Sequence, residues 1–448
     1  MARKISLPYI DPAAAFAPLA QTPYALLLDT PLRQRPEHRF AILLAAPQQI
    51  LVVKNGHATL NGHPIPDPFA VLRASLSATN CTADVGLPFC TGWAGYIGYE
   101  MGGWLERLPP PRGDQDSLPD LCLAEYPAAV VFDYTANTAT LVARTDADAE
   151  RLQSLLARPA AAHGPNPPVA VTPEQSADSY RAAVARTIEY IQSGDIYQAN
   201  IAQRFSAARP AGFSPWALFR QLRQDTPAPY MAYFNLPEGA VVSCSPEQFL
   251  SAREGQVTTR PIKGTRPRGQ TVAEDMALAH DLATSAKDRA ENLMIVDLLR
   301  NDLARVCAPG SVKVPALWEI EHFPNVHHLV STVTGQLLPG KTALDVLFAA
   351  FPGGSITGAP KIRAAEIIHM LEPVRRGVYC GSIGYLSIDG QMDTNIAIRT
   401  VTCTPTRIHL HAGCGIVADS EPEAEYQESL TKASALIRTL AQPNIDLT

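Results

Sequence analysis

The stretch AVVSCSPEQFLSAREGQVTTRPIKGTR, residues 240–266, holds two apolar-rich runs, 240–252 and 257–262, on either side of Arg253-Glu254-Gly255-Gln256. β-branched residues flanking a Glu-Gly pair predict an antiparallel hairpin. A turn centred on Glu254 and Gly255 places Glu247 opposite Ile262, one residue from Lys263. A carboxylate and an amine then face each other at a sheet edge. A desolvated lysine beside a base loses its proton and becomes a nucleophile. A lone cross-strand Glu–Lys pair is otherwise a structural ion pair. Here the flanking Ser-Pro-Glu-Gln-Phe and Gly-Thr segments put both groups in loops.

Outward from this hairpin, strands dominate. Residues 24–53 read as paired strands, with further strand runs near 126–134 and 139–143, and IYQANIAQRF (196–205) follows as another. Helices are expected over 178–192, with apolar residues at Tyr180, Val184, Ile188 and Ile191 and a stop at Gly194; over 285–306, opened by a Ser285-x-x-Asp288 box; over 360–370; and over 422–440. The class is α+β. LPPPRGDQDSLPD (108–120) is an extended loop and RPAAAHGPNPPVA (158–170) a linker. The expected division is an N-terminal part, 1–170, and a catalytic part, 171–448, whose sheets interleave.

The chain has 448 residues, 46% apolar and 18% charged, with a net charge of −6. This is a globular composition with room for a large core. A mildly acidic balance without basic runs argues against nucleic-acid and membrane partners. The segment MARKISLPYIDP lacks an apolar signal region. Cysteines 81, 90, 122, 244, 307, 380, 403 and 414 form no Cys-x-x-Cys pair, so reduced thiols and a cytoplasmic location are expected.

Further chemistry lies in four places. Asp288 and Glu291, and separately Glu425 and Glu428, are three residues apart on predicted helices and share a face. Each pair alone is an ordinary solvated face. If the helices converge, hard oxygen ligands favour Mg²⁺, and Lys432, one turn beyond Glu428, faces any anion that the metal holds. FPGGSITGAPKIRAAEII (351–368) is an anion-receptive helix start without a Walker A spacing. His328, Tyr385 and Arg399 are single polar residues amid apolar strands. Gly413-Cys414-Gly415 lets backbone approach a ligand, but it is not the Gly-x-Cys-x-Gly of a glutaminase elbow, and no glutaminase is visible elsewhere.

The segments GDIYQANIAQRF (194–205), CSPEQFL (244–250), RPIKGTRPRG (260–269), SAKDRAENLMIVDLLRNDLARV (285–306), VHHLVSTVTG (326–335), FPGGSITGAPKIRAAEII (351–368), GSIGYLS (381–387), DTNIAIRT (393–400) and AGCGIVADSEPEAEYQESLTKA (412–433) occur in this order. Together they resemble the chorismate-utilising enzymes from about residue 22 to 440. The resemblance implies a large sandwich of antiparallel sheets flanked by helices, with interleaved N- and C-terminal parts. Anthranilate synthases are similar but look like Pro-Ile-Ala-Gly-Thr where this chain has Pro-Ile-Lys263-Gly-Thr. The branch that forms 4-amino-4-deoxychorismate carries the lysine. Isochorismate and salicylate synthases carry a water-activating lysine where this chain has Gln198.

The resemblance further implies Mg²⁺ held by Glu291 and Glu428 and supported by Asp288 and Glu425. Lys263 is the implied nucleophile and Glu247 the proton donor. Arg399, Tyr385, Lys432, Gly413, Gly415, Ser355 and Thr357 are implied to hold the substrate's carboxylates, His328 to sit near the leaving hydroxyl or the ring, and Gln198 to belong to the substrate-binding set. Ammonia is implied to come from a separate glutamine amidotransferase subunit. A candidate tryptophan pocket maps onto Thr30, His38, Arg39, Phe40, Pro229, Tyr230 and Met231. Anthranilate synthase component I is the alternative enzyme; a non-catalytic chorismate- or tryptophan-binding homologue is the alternative of another class.

Overall fold

A computed structural model describes residues 3–33, 35–77, 86–114, 116–161 and 164–442. Two antiparallel sheets, each of 12 strands among the described residues, pack face to face. The first runs, in order of pairing, Arg3–Leu7, Thr138–Ala143, Ala128–Asp133, Phe40–Leu44, Leu26–Asp29, Tyr230–Leu236, Gly239–Ser245, Thr400–Cys403, Arg407–Ile416, Gln198–Ala208 and Thr172–Pro173, with Gly358–Ala359 also on Gln198–Ala208. The second runs Ile262–Pro267, Val326–Gln336, Gln256–Thr259, Gln248–Arg253, Met392–Asn395, Ser382–Ser387, Gly92–Ile97, Leu121–Tyr126, Gln49–Lys54, His57–Leu60 and His63–Ile65, with Lys313–His322 beside Val326–Gln336.

Alternation decides what lies between the sheets. Leu26, Ile42, Leu44, Phe234 and Val241 of the first meet Ala94, Tyr96, Tyr126 and Ile383 of the second. The outer face of the first sheet buries Phe16, Leu152, Trp216, Phe219 and Leu436 from helices. The second buries Leu72, Val296, Leu303 and Leu347 on its outer face. The α+β class and sandwich architecture are as expected.

The hairpin has the expected register: Ser251 pairs with Thr258, Ala252 with Val257 and Arg253 with Gln256. The run 240–252 is not one strand, however. It stops at Ser245 in the first sheet and resumes at Gln248 in the second, because Pro246 has no N–H to donate. A second crossing lies alongside, from Asn395 in the second sheet to Thr400 in the first. Ser245 Oγ donates to Ile396 O at 2.6 Å, Ile396 N donates to Glu247 O at 3.1 Å, and Cys244 N donates to Arg399 O at 3.0 Å. The two crossings are thus stitched together.

The expected helices form as Ala177–Gln192, Ala286–Ala304, Lys361–Leu371 and Pro422–Ala441. Ser285 caps its helix by accepting from Asp288 N at 3.3 Å. Helices at Pro215–Asp225, Val272–Thr284 and Ala343–Ala350 were not anticipated from periodicity. The proline-rich segment before residue 171 is docked rather than free: Asn166 exchanges hydrogen bonds with Ser214, and Val169 N donates to Leu440 O at 2.7 Å. Both sheets take strands from both sides of it. Among the described residues no helix is long and apolar enough to cross a membrane. Cysteines 90, 122, 244, 307, 380, 403 and 414 are buried and outside any disulfide among the described residues; Cys81 lies outside the described residues.

Phe249, two residues past Glu247, is 2% exposed and sets its ring edge-on to Phe351 at 6.3 Å, beneath the 351–357 loop. Phe249→Ala is expected to cost about 3–5 kcal/mol in urea unfolding; a loss below about 1 kcal/mol would show that the loop does not depend on this ring.

Candidate active site

Lys263 sits where the outer strand Ile262–Pro267 departs from regular pairing: the register against Val326–Gln336 shifts between Ile262 and Thr265. A bulge of this kind re-aims a side chain. Gly264 has φ +79°, and a Cβ there would lie 2.9 Å from Asp288 Oδ1, so glycine alone fits. Lys263 Nζ donates to Ser355 O at 3.3 Å. A Cβ on Gly415 would lie 3.2 Å from Lys263 Nζ and 2.7 Å from Gln198 Nε2. The bare glycine therefore leaves the space in which the lysine tip and the glutamine amide meet. Gln198 is fully buried, with neither amide atom hydrogen-bonded to protein.

Glu247, 5% exposed, stands at the first crossing between sheets. Burial pushes its carboxyl up to about 7, against the pull of the Ser355 hydroxyl, the Lys263 charge, the Ile262 N–H and the Lys432 charge. Ile262 N approaches Glu247 Oε1 at 3.5 Å. The expected ladder pairing of 247 with 262 is absent, since Arg260-Pro261 ends the strand at Thr259, but the closeness it implied is retained. Burial lowers the Lys263 ammonium's pKa; Glu291, Glu247 and Glu428 oppose this, and Lys432 adds to it. A carboxylic acid titrating near 7 beside a lysine biased towards the neutral amine is an acid–nucleophile pair.

Two helices bring the acidic residues in. Burial pushes the Glu291 carboxyl up, with Asp288 and Glu425 adding like charge and Lys263 and Lys287 opposing. Glu425 is buried and accepts from Ser420 Oγ at 2.7 Å. Glu428 accepts from Lys432 Nζ at 2.7 Å. Burial raises Glu428, but the Lys432 charge and hydrogen bond, with the Lys287 charge and Cys414, together outweigh it and leave the carboxyl low. Asp288 is engaged by Arg266 at 3.1 Å, itself paired with Asp281 at 2.6 Å.

Glu428 Oε1, Gly413 O at 3.1 Å and Cys414 Sγ at 3.7 Å converge on the Lys432 ammonium, so the pocket already receives a positive charge. Glu425 and Glu428 offer carboxylate oxygens from one helix, and Glu291 on the other feels the Glu425 charge; such oxygen donors are the kind a hard divalent cation takes. Cys414 Sγ lies within 4.8 Å of the Glu425 and Glu428 oxygens, but burial holds its thiol up at about 12.

Arg399 lies at the second crossing with φ +52° and donates to Lys432 O at 2.7 Å. His328 shares a 2.9 Å hydrogen bond with Thr265 Oγ1; burial and the Arg399 charge push it down to about 4, so the imidazole is neutral. Thr357 is buried and its carbonyl accepts from Asn200 N at 2.9 Å.

Tyr385 does not join this cluster. It lies in the central core with its ring edge-on to Phe89 at 5.5 Å and lines a different cavity. Tyr379, which the sequence patterns pass over, stacks on His411 at 5.1 Å and feels the Arg399 charge. The available signal was its place just after Arg375-Arg376-Gly377, a basic turn that needs buried carboxylate partners and finds Asp120 and Glu372.

The second cavity, about 450 Å³, is lined by Thr30, Arg39, Phe40, Tyr230 and Met231 together with Asp393. Thr30 Oγ1 donates to Phe40 O at 2.7 Å, and Arg39 reaches Asp133 at 2.8 Å. His38 sets its ring edge-on to Tyr230 at 5.6 Å, outside the lining, as is Pro229. Burial pushes Asp393 up to about 7.

A folded-state pKa near 7 for Glu247, against about 4.5 when unfolded, makes stability fall as pH rises between those values. Glu247→Gln is therefore expected to stabilise the protein at pH 8 by up to about 3 kcal/mol and to have little effect at pH 4, read by urea unfolding at both pH values. Equal effects at both would place the Glu247 carboxyl near its ordinary value.

Residues 30–438 match the family model described as chorismate binding enzyme. The chain is 44% identical to aminodeoxychorismate synthase component 1 of Klebsiella aerogenes, over 97% of this chain and 98% of that protein. It is 41% identical to anthranilate synthase component 1 of Thermus thermophilus, over 96% and 95%. The crystal structure of anthranilate synthase component I from Streptococcus pneumoniae superposes with a TM-score of 0.82 at 36% identity, covering 89% of this chain and 92% of that one. The chain belongs to the chorismate binding enzyme family.

Proposed function

We propose that this protein aminates chorismate at C4 with ammonia, giving 4-amino-4-deoxychorismate, the precursor of para-aminobenzoate. The observation that carries this reading is Lys263: a buried amine, held by Ser355 O and facing a glutamic acid that titrates near 7. Relatives named aminodeoxychorismate synthase component 1 support it. Relatives named anthranilate synthase component 1 make anthranilate the second reading. The amine at 263 favours the first, because it adds to a ring where alanine cannot.

In this mechanism Lys432 and Arg399 take the substrate's carboxylates, and the bare Gly413 and Gly415 backbone lets the ring lie close. Neutral Lys263 adds through its lone pair at C2. Both ring double bonds shift and the C4 hydroxyl leaves as water, taking the Glu247 proton. Ammonia then adds at C4, both double bonds shift back, and Lys263 departs as the amine while the added nitrogen gives up one proton to the Glu247 carboxylate. Glu291 and Glu428, with Glu425 beside them, would hold Mg²⁺, which on binding the ring carboxylate draws electron density from the diene. A separate glutamine amidotransferase subunit would supply the ammonia, in keeping with the "component 1" of the relatives' names. The second cavity is the place for tryptophan, whose ammonium Asp393 would meet.

Purified protein with chorismate, Mg²⁺ and ammonium is expected to form aminodeoxychorismate without pyruvate, identified by mass. Anthranilate with pyruvate would establish the second reading instead. Lys263→Ala is expected to lower amination about 10²–10⁴-fold with Mg²⁺ affinity unchanged, whereas Glu428→Gln weakens Mg²⁺ and chorismate binding together, measured by calorimetry. Near-normal turnover in Lys263→Ala would exclude the covalent route.

A further inference from the structure

We propose that ammonia reaches Lys263 and the bound substrate along one face of the paired strands Gln198–Ala208 and Arg407–Ile416, entering where Arg204 meets Asp114. This rests on the amination reading given above, in which ammonia is the second nucleophile.

Alternation puts Gln198, Asn200, Ala202, Arg204 and Ser206 on one face of the first strand. Across the ladder, Gly415 pairs with Asn200, Gly413 with Ala202, His411 with Arg204 and His409 with Ser206. The inner end of this row is the site, since a Cβ on Gly415 would meet both Gln198 Nε2 and Lys263 Nζ. The outer end is the surface: Arg204 engages Asp114 of the proline-rich loop, and Glu174 at 2.8 Å, and all three side chains are partly exposed. Six residues of strand span the row, about 20 Å. Tyr379, stacked on His411 at 5.1 Å, roofs the face there. The opposite face is closed by the final helix, where Gln203 donates to Ser429 Oγ at 2.7 Å.

The polar atoms of this row carry the inference. Gln198, Asn200 and His409 are 0%, 6% and 5% exposed. Both amide atoms of Gln198, Nδ2 of Asn200, both ring nitrogens of His409 and Nε2 of His411 are buried without a hydrogen-bond partner in the protein. Glu174 Oε1 lies 3.8 Å from His409 Nδ1, too far to serve. Buried donors and acceptors in this state are costly unless a small hydrogen-bonding molecule meets them. Here they recur along one face from the surface to the nucleophile. Midway, Ala202 and Gly413 place nothing larger than a methyl on that face. Ammonia is water-sized, with three N–H donors and one lone pair, and suits amide and imidazole atoms alike.

The charges suit a neutral passenger. Burial and the Arg204 charge hold His409 down at about 4 and lower His411 as well. Both imidazoles are therefore neutral and give no proton to ammonia in transit. At the rim, Asp114 and Glu174 draw ammonium from solvent, while the Arg204 guanidinium between them repels a cation and admits the free base.

The test follows amination by the purified protein with Mg²⁺ and saturating chorismate while ammonium is varied. His409→Phe keeps a ring of similar size and offers no hydrogen bond. It is expected to lower kcat/KM for ammonium about tenfold, with KM for chorismate within about twofold of wild type. His409→Gln, which keeps a donor and an acceptor, is expected to restore kcat/KM to within about threefold. Arg204→Ala removes the cation from the rim and leaves the carboxylates, so kcat/KM for ammonium is expected to rise about threefold. A merely structural role would lower activity in both variants. If His409→Phe does not fold, Ser206→Val, at its ladder partner, serves the same measurement. Wild-type ammonium kinetics in His409→Phe, a loss in Arg204→Ala, or a raised KM for chorismate in either would overturn the route while leaving the amination reading in place. A wild type that does not aminate chorismate would overturn the amination reading, and the route with it.

Discussion

Two extended segments cross from one sheet to the other side by side, and the rest of the site follows from that. Packed sheets leave no water between them, so backbone passing from one to the other must find hydrogen bonds within the protein. Here Ser245, Glu247 and Ile396 satisfy one another across the pair of crossings, and Cys244 reaches Arg399. The residues that cannot continue a ladder, Glu247 after Pro246 and Arg399 with its left-handed backbone, are left with side chains free of either sheet's alternation. Both turn towards the same cleft, one as an acid and one as a cation.

Burial then does opposite things to neighbouring groups. It raises Glu247 and Glu291, lowers Lys263 and neutralises His328. Desolvation penalises whichever form is charged, so an acid and an amine placed in one dry cleft are driven towards their uncharged forms, which are the reactive ones for proton donation and for nucleophilic attack. Lys432 and Glu428 escape because each neutralises the other at 2.7 Å. A single cleft thus holds both a pair biased towards its uncharged, reactive forms and a charged, binding pair, separated by which partners meet directly.

Much of this was legible in residue order. The hairpin register follows from one Glu-Gly turn, and the shared faces of Glu291 and of Glu425 with Glu428 follow from helical spacing. What local pattern does not carry is the identity of a distant partner. Asp288 belongs by spacing with Glu291 but is claimed by Arg266, which only the outer strand brings near. Tyr385 is the tyrosine inside a recognisable strand, yet alternation buries it in the central core, while Tyr379, in the turn before that strand, is the tyrosine whose charge influences Arg399. The Val272–Thr284 helix buries only Leu282, so it has no apolar stripe to announce it.

The order of strands has a consequence for how the chain comes to be folded. Leu26–Asp29 lies against Tyr230–Leu236, and Gly92–Ile97 lies against Ser382–Ser387. During synthesis Leu26–Asp29 and Gly92–Ile97 each have one neighbour close in sequence, Phe40–Leu44 and Leu121–Tyr126, and each keeps one open edge. Those edges close only once residues 230–236 and 382–387 have been made, a delay that rises with the sequence separation of contacts. The cleft is completed only when the final helix, bearing Glu425, Glu428 and Lys432, docks.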